Sequence, residues 1–174
     1  MKKKWVWPIT LLLVAFFLVN FPTRATASGE TKGRIINFGL IEPITKERTE
    51  DSPETTGGIR RIARWKVTKR TGKIPARIGL QFGIEFFVTG LPSNSVVILR
   101  KTVNHPKITK PDGKVSKGYT LHMAIPTTKD GTIRGVEGYG FDHEYELVPG
   151  EWTIEFWLQN HKLAGKTFQV YLGE

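Results

Sequence analysis

The sequence predicts an all-β fold, a sandwich of about seven or eight antiparallel strands that follows an N-terminal signal peptide. Three observations lead to this fold class. Apolar and polar residues alternate in one segment after another, which is typical of strands with one buried face. Gly, Pro and Asn turns separate these segments. The chain contains no cysteine, so a hydrophobic core rather than disulfides must stabilise it.

The alternating segments give the predicted strands and their inward-facing residues. One segment, residues 96–103, begins with apolar residues on both faces, as expected of a central strand. Residues 59–67 could instead form a short amphipathic helix, but the segment lacks a C-cap and we favour a strand. Residues 42–58 and 105–117 are polar and predict long connections. The remaining strands are marked by Ile36, Phe38 and Leu40; Ala63, Trp65 and Val67; Phe82, Ile84, Phe86 and Val88; Tyr119, Leu121, Met123 and Ile125; Tyr139, Phe141, Tyr145 and Leu147; Trp152, Ile154, Phe156 and Leu158; and Phe168, Val170 and Leu172.

The N-terminus has the three parts of a secretory signal. Three lysines precede an uncharged, apolar stretch over residues 5–23, and Ala25 and Ala27 supply the small residues that signal peptidase recognises. We expect cleavage after Ala27, which leaves residues 28–174 as a single sandwich domain. A retained anchor is the alternative, because the stretch approaches the length of a spanning helix. Pro8 and Pro22 shorten that helix and favour cleavage.

Export limits the partners of the mature chain. Cleavage would remove four basic residues and no acids, so 22 basic residues would face 16 acidic ones and the net charge would be +6 rather than +10. The absence of cysteine also excludes a lipid anchor on a cysteine. We therefore expect a periplasmic or secreted protein with no membrane span after cleavage. Nucleic acid is not an expected partner, whereas an envelope protein or an anionic envelope polymer is.

The segment before the last two strands predicts a corner between the sheets. Pro149-Gly150 suits a type II turn, which fits a tight hairpin poorly, so we expect the chain to cross from one sheet to the other here. Immunoglobulin-like sandwiches have a comparable corner, in which an aromatic ring just after the turn packs inward. Trp152 takes that place, and only its indole N–H could replace a tyrosine hydroxyl as the hydrogen-bond donor. Further on, a tight hairpin is expected near Asn160-His161.

Turn and core residues carry a resemblance to a known family. They are Ile74-Pro75-Ala76, Gly79, Phe82-Gly83, Gly90-Leu91-Pro92, Pro111-Asp112-Gly113, Gly138-Tyr139-Gly140-Phe141, the run from Glu146 to Trp152, Lys162-Leu163-Ala164, Phe168 and Val170. Over most of residues 35–170 the chain resembles an uncharacterised bacterial secreted family, domain of unknown function 3859. The resemblance implies the fold and brings no activity with it.

Catalytic and metal-binding patterns are sparse. Asp142-His143-Glu144 is the one local cluster, and on a strand its acids and its histidine would point to opposite faces, so we expect no metal and no cofactor. The sequence has no Gly-x-Ser-x-Gly elbow. We therefore predict a non-catalytic module and expect the acids to lie on solvent faces. The alternative is a carbohydrate-active or other hydrolase that uses the acids near residues 142–146.

Basic and aromatic residues suggest where such a module would bind. Eight Lys and Arg residues fall between Arg60 and Arg77, which fits either a solvated edge strand or a patch that binds anions. Two aromatic residues have the parity opposite to the apolar face of their strands and could lie on a contact surface. The candidate binding surface is Arg64, Lys66, Phe87, His122 and Trp157.

Overall fold

The computed structural model describes residues 30–44, 48–50, 59–61 and 65–173. The predicted signal peptide, most of the predicted connection at residues 42–58, and Arg64 lie outside these residues. Within the described ranges, the chain forms no helix that is both long and apolar enough to cross a membrane.

Most of the described residues lie in strands. The elements are β1 (Lys32–Pro43), β2 (Arg48–Glu50), β3 (Ile59–Arg61), β4 (Trp65–Arg70), β5 (Lys73–Ala76), β6 (Gln81–Thr89), β7 (Val96–Thr109), β8 (Val115–Pro126), β9 (Ile133–Gly140), a 3₁₀ helix (Glu144–Glu146), β10 (Gly150–Leu158) and β11 (His161–Leu172).

Nine of these strands form two packed sheets, which confirms the predicted all-β sandwich. The first sheet has the order β4-β1-β6-β9, the second has the order β5-β11-β10-β7-β8, and β2 pairs with β3 separately. Neighbouring strands are antiparallel except β5 and β11, which are parallel. The sequence did not predict β5, because this strand is only four residues long and contains Pro75.

Aromatic rings from both sheets fill the core. The Phe82 ring centroid lies 5.1 Å from that of Phe168 and 6.0 Å from that of Trp152. Phe86 of β6 stacks on Phe156 of β10 with ring centroids 4.4 Å apart. All five side chains are fully buried. Burial of each such side chain contributes about 1.5–3 kcal/mol, so these contacts hold the two sheets face to face.

Two predicted connections have a different structure. Most of residues 105–117 is strand, because β7 runs on to Thr109 and β8 already begins at Val115. Only a tight turn remains, in which Gly113 N–H donates to the Lys110 carbonyl at 2.9 Å. Pro106 is tolerated because the pairing register shifts between Asn104 and Ile108.

The prediction of a strand through Tyr145 and Leu147 is wrong. β9 ends at Gly140, and Tyr145 lies in the 3₁₀ helix. β7 is a central strand as expected, but its first outward residues, Val96 and Ile98, are exposed. The reason is that β10 ends at Leu158, opposite Leu99, and does not extend beside them.

A row of three glycines crosses the first sheet. Gly39, Gly83 and Gly138 lie opposite one another on β1, β6 and β9. A Cβ at Gly83 would lie 2.2 Å from the Glu137 carbonyl oxygen, and one at Gly138 would lie 2.0 Å from the Phe82 carbonyl oxygen. β4 contacts β6 and β9 as well as its partner β1. The first sheet therefore curls strongly, and the glycines permit this curl because they carry no side chain.

We expect Gly83→Ala to lower the free energy of unfolding by about 1–3 kcal/mol, because the ladder carbonyl that the new methyl group meets cannot move aside. Thermal unfolding followed by circular dichroism measures the effect. Gly72→Ala is the matched control, since no atom lies within 4 Å of a Cβ at that position. Equal melting temperatures for the two variants would contradict this account of the row.

Candidate functional site

A buried carboxylate, that of Glu146, organises the chain between β9 and β10. The side chain is 1% exposed. It accepts hydrogen bonds from the Tyr139 hydroxyl at 2.7 Å, the Asp142 N–H at 2.7 Å and the His143 N–H at 2.8 Å. The expectation that the acids near residues 142–146 lie on solvent faces is therefore wrong for Glu146. Its carboxylate caps the start of the 3₁₀ helix, where backbone N–H groups lack partners.

The corner that follows carries the chain from the first sheet to the second, as the sequence predicts. Its turn is not of type II at Pro149-Gly150. The backbone turns earlier, at Leu147 (φ −74°, ψ 56°), where the Val148 N–H donates to the Glu146 carbonyl at 2.7 Å in an inverse γ-turn. Gly150, with φ +130°, opens β10.

Trp152 fixes the far side of this corner. The residue is fully buried, and its indole N–H donates to the Val148 carbonyl at 3.0 Å. The indole thus occupies the hydrogen-bonding position that a tyrosine hydroxyl takes in comparable corners.

The hydrolase alternative needs two carboxylates that are free to act on a substrate. Glu146 is held by three donors from its own fold, and Glu144 is exposed on the 3₁₀ helix. No group of three or more His, Asp or Glu residues is placed to hold a metal ion in the part of the chain that the structure describes. The cluster near residues 142–146 therefore has the geometry of a cap.

A buried ion pair joins the sheets near this corner. Lys101 points inward from β7, and its ammonium lies 3.0 Å from a Glu137 carboxylate oxygen and 2.7 Å from the Gly138 carbonyl oxygen. Burial lowers the pKa of Lys101, but the Glu137 carboxylate and Tyr119 outweigh it and leave that pKa above its ordinary value. Burial raises the pKa of Tyr119. Lys101 therefore stays charged and ties β7 to β9.

His105 is a second buried titratable group at this end of the sandwich. Its Nδ1 lies 2.7 Å from the Pro106 carbonyl oxygen, its Nε2 lies 3.4 Å from the Ser116 hydroxyl, and its ring lies 4.8 Å from the Trp152 ring. Burial lowers the pKa of His105 although the Pro106 carbonyl and the Glu146 carboxylate oppose this. The imidazole therefore packs as a neutral ring beside Trp152.

Polar side chains and a tryptophan share the outer face of the second sheet. Lys162, Trp157, Arg100 and His122 lie directly opposite one another on β11, β10, β7 and β8. We call these four residues the outer row. The Arg100 guanidinium lies 5.1 Å from the Trp157 ring centroid, and the Lys162 ammonium lies 5.9 Å from it. Such cation–π contacts fix the position of a charged group on an open surface.

The two cations of the outer row differ in their partners. Lys162 forms an ion pair with Glu155, which also accepts a hydrogen bond from the Trp157 indole at 3.2 Å. Arg100 has no carboxylate partner among the described residues, and its Nε is buried without a hydrogen-bond partner there. Arg100 is therefore a positioned cation whose Nε makes no hydrogen bond to the described part of the chain.

The residues of the candidate surface that the sequence suggests do not all lie together in the structure. His122 and Trp157 lie together in the outer row, whereas Phe87 lies on the outer face of the other sheet, 5.3 Å beneath the Arg34 guanidinium. Lys66 lies on β4, an edge strand, 3.9 Å from a Glu42 carboxylate oxygen. Arg64 lies outside the described residues.

Sequence reasoning did not place Arg100, Glu155 or Lys162 in the candidate surface. The parity of Arg100, opposite to that of Val97, Leu99 and Val103, was a usable signal. Its position beside Trp157 was not predictable, because that position depends on which strands become neighbours.

We expect the stability of the protein to fall as the pH drops below about 6.5, in part because of His105. Its folded pKa lies below the ordinary 6.5, so the unfolded chain takes up a proton first. The stability that neutral His105 contributes is complete above about pH 6.5 and is lost as the pH falls through the pKa of His105 in the folded protein. His105→Gln should make the melting temperature depend less on pH between about pH 5 and 8. His122→Gln, at an exposed position, is the control, and equal slopes for both variants and the unmodified chain would contradict the assignment.

Comparison with solved structures supports the fold. An immunoglobulin-like protein from Pseudomonas aeruginosa matches with a TM-score of 0.58 at 21% identity, over 83% of this chain and 99% of that one. A DNA-bound alkylpurine DNA glycosylase from Pseudomonas fluorescens matches with a TM-score of 0.41 at 11% identity, over 57% of this chain and 27% of that one, which is too weak to carry an argument. Among curated proteins no match is found.

The family comparison covers almost all of the sandwich. The model described as "Domain of unknown function (DUF3859)" matches residues 30–170, from just before β1 into β11. This match confirms the resemblance carried by the turn and core residues. The chain is an immunoglobulin-like sandwich and belongs to the family of the domain of unknown function 3859.

Proposed function

We propose that this protein is an exported, non-catalytic binding module of the bacterial cell envelope, which holds an anionic polymer on the outer face of its second sheet. The observation that carries the proposal is the state of Arg100. Its guanidinium lies on Trp157 and has no carboxylate partner among the described residues. A guanidinium in that state is preorganised for a ligand group of opposite charge.

The chemistry of Arg100 favours oxyanions. A guanidinium presents its N–H donors in a planar fork that pairs with carboxylate, sulfate or phosphate oxygens. The indole of Trp157 limits the rotation of this fork, so less side-chain entropy is lost on binding. Thr102 and Thr120 lie opposite each other on the same face, next to the outer row, and their hydroxyls can bond to sugar hydroxyls.

The shape of the site favours a chain over a small molecule. The outer row crosses four neighbouring strands, a distance of about 14 Å at the usual strand spacing. The side chains stand side by side on the outer face of the second sheet. A polymer with repeated negative charges can contact Arg100 and His122 together, whereas a single small anion contacts one of them.

The hydrogen bonding at the corner and the charge of the chain support the other parts of the proposal. Glu146, the acid that a hydrolase would need, is occupied as a helix cap. The net charge expected after cleavage, +6, attracts anionic envelope polymers.

We expect Arg100→Ala to weaken binding of anionic polymers by about tenfold or more, since a hydrogen bond to a charged group contributes about 1.5–3 kcal/mol. The probes are polygalacturonate and dextran sulfate, with uncharged dextran as a negative control, and calorimetry at several salt concentrations measures affinity. Arg77→Ala removes the same charge from an exposed turn and should change binding little. Equal losses of affinity for the two variants would show that binding depends only on net charge and would contradict the proposed site.

A different substitution at the same site should strengthen the binding of anionic polymers. Glu155→Gln removes the carboxylate that neutralises Lys162 while it keeps an acceptor for the Trp157 indole. This variant should therefore bind the anionic probes several-fold more tightly. Weaker or unchanged binding by Glu155→Gln, or binding of uncharged dextran equal to that of the anionic probes, would refute the proposed site.

Export has its own test. When the full chain is produced in a bacterial host, N-terminal sequencing of the periplasmic or secreted product should begin at Ser28, because Ala25 and Ala27 mark the cleavage site. A chain that begins at Met1 and stays with the membrane fraction would refute cleavage. Affinity for the polymers is measured on the purified domain, so the two parts of the proposal can fail separately.

A further inference from the structure

The four edge strands of the sandwich differ in how they resist pairing with another chain. β5 is four residues long and contains Pro75, and β9 carries Gly135, Gly138 and Gly140. β4 carries Lys66, Lys69 and Arg70 and has an irregular register with β1. Short length, proline, charge and irregularity all discourage edge pairing. β8 has none of these features along residues 119–125, although it is 12 residues long.

The backbone of β8 has donors that the sheet does not use. The Thr127 N–H donates to the Ser95 carbonyl at 2.8 Å, which fixes the alternation of the ladder between β7 and β8. In an antiparallel ladder every second residue bonds to the partner strand and the others point away. On β8, the backbone N–H groups that point away from β7 are those of Thr120, His122 and Ala124. In the described part of the chain β8 pairs with β7 alone.

The inner face of β8 is only partly covered by the rest of the described sandwich. The second sheet has five strands and the first has four, and the residues of β8 that face inward stay only half buried. Three of them are apolar: Leu121, Met123 and Ile125. An additional strand beside β8 could bury its own inward side chains against these three residues.

The charges around this edge favour one kind of occupant. Lys117 lies on β8, and Arg100 lies opposite His122 of β8 with no carboxylate partner among the described residues. A second copy of this chain paired through β8 would bring these basic groups together, which is unfavourable. Acidic side chains on an added strand would instead face basic ones.

We infer that the free edge of β8 binds an extended peptide segment of a partner protein, which continues the second sheet by one strand. Apolar side chains of the segment face inward over Leu121 and Met123, and acidic side chains alternate with them on the side of His122. Backbone hydrogen bonds to Thr120, His122 and Ala124 supply affinity, and the alternating side chains supply specificity.

The probe is the peptide acetyl-Glu-Val-Glu-Val-Glu-Val-Glu-amide, added to the purified chain. Amide hydrogen exchange measured by NMR should slow by about tenfold or more at Thr120, His122 and Ala124 when the peptide saturates the protein. A control peptide with the same side chains and an N-methyl group on every residue has no backbone N–H to donate to the ladder and should not protect these amides.

Variants at one position separate backbone pairing from side-chain contact. His122→Pro removes an outward N–H and leaves the ladder to β7 intact, so the protein should fold and bind the peptide at least about tenfold more weakly. His122→Ala keeps the N–H and should lose far less affinity. Arg100→Ala, which weakens polymer binding by about tenfold or more under the proposed function, should leave amide protection by the peptide in place.

Three results would overturn the inference. The first is equal binding of the N-methylated and unmodified peptides, and the second is protection that maps away from β8. The third is the absence of any protection at millimolar peptide. The comparison of the two peptides requires no substitution, so it decides the question even if His122→Pro does not fold.

Discussion

The carboxylate of Glu146 holds the chain at the point where it leaves one sheet for the other. This buried side chain accepts hydrogen bonds from a hydroxyl of β9 and from two backbone N–H groups of the crossing, and without them it would be buried without donors. Each unsatisfied buried group costs about 1–3 kcal/mol. The position of Trp152, and with it the start of β10, follows from this arrangement. A side chain with the sequence signature of a catalytic acid thus has an architectural role.

The outer face of the second sheet depends on that crossing. Once β10 starts at Gly150, its register with β7 places Trp157 opposite Arg100, and the hairpin to β11 places Lys162 on the other side. A shift of one residue would turn Trp157 inward and bring Phe156 to the surface. The proposed polymer site is therefore as well defined as the core, because the same pairing sets both.

The second sheet has two candidate binding surfaces, one that would bind through side chains and one that would bind through the backbone. Its outer face presents a cation fixed on an indole, and its free edge presents backbone donors beside half-buried apolar side chains. A face binds through side chains and is sensitive to salt, whereas an edge binds through the backbone and depends on alternation. A sandwich of this class fixes neither use by its fold alone, and the two proposed uses depend on Arg100 and on the edge of β8.

Local pattern in the sequence determined the all-β class, the inward parity of β6 and β10, and the corner before Trp152, because alternation and turn chemistry act over a few residues. Tyr145 and the connection at residues 105–117 were misjudged, since a buried cap and a long hairpin override local polarity. The sequence singled out His122 and Trp157, but Phe87 went to the opposite face of the sandwich. Only the tertiary structure placed Arg100 beside Trp157 and left β8 at an edge, because strand neighbours are chosen by packing between residues far apart in the chain.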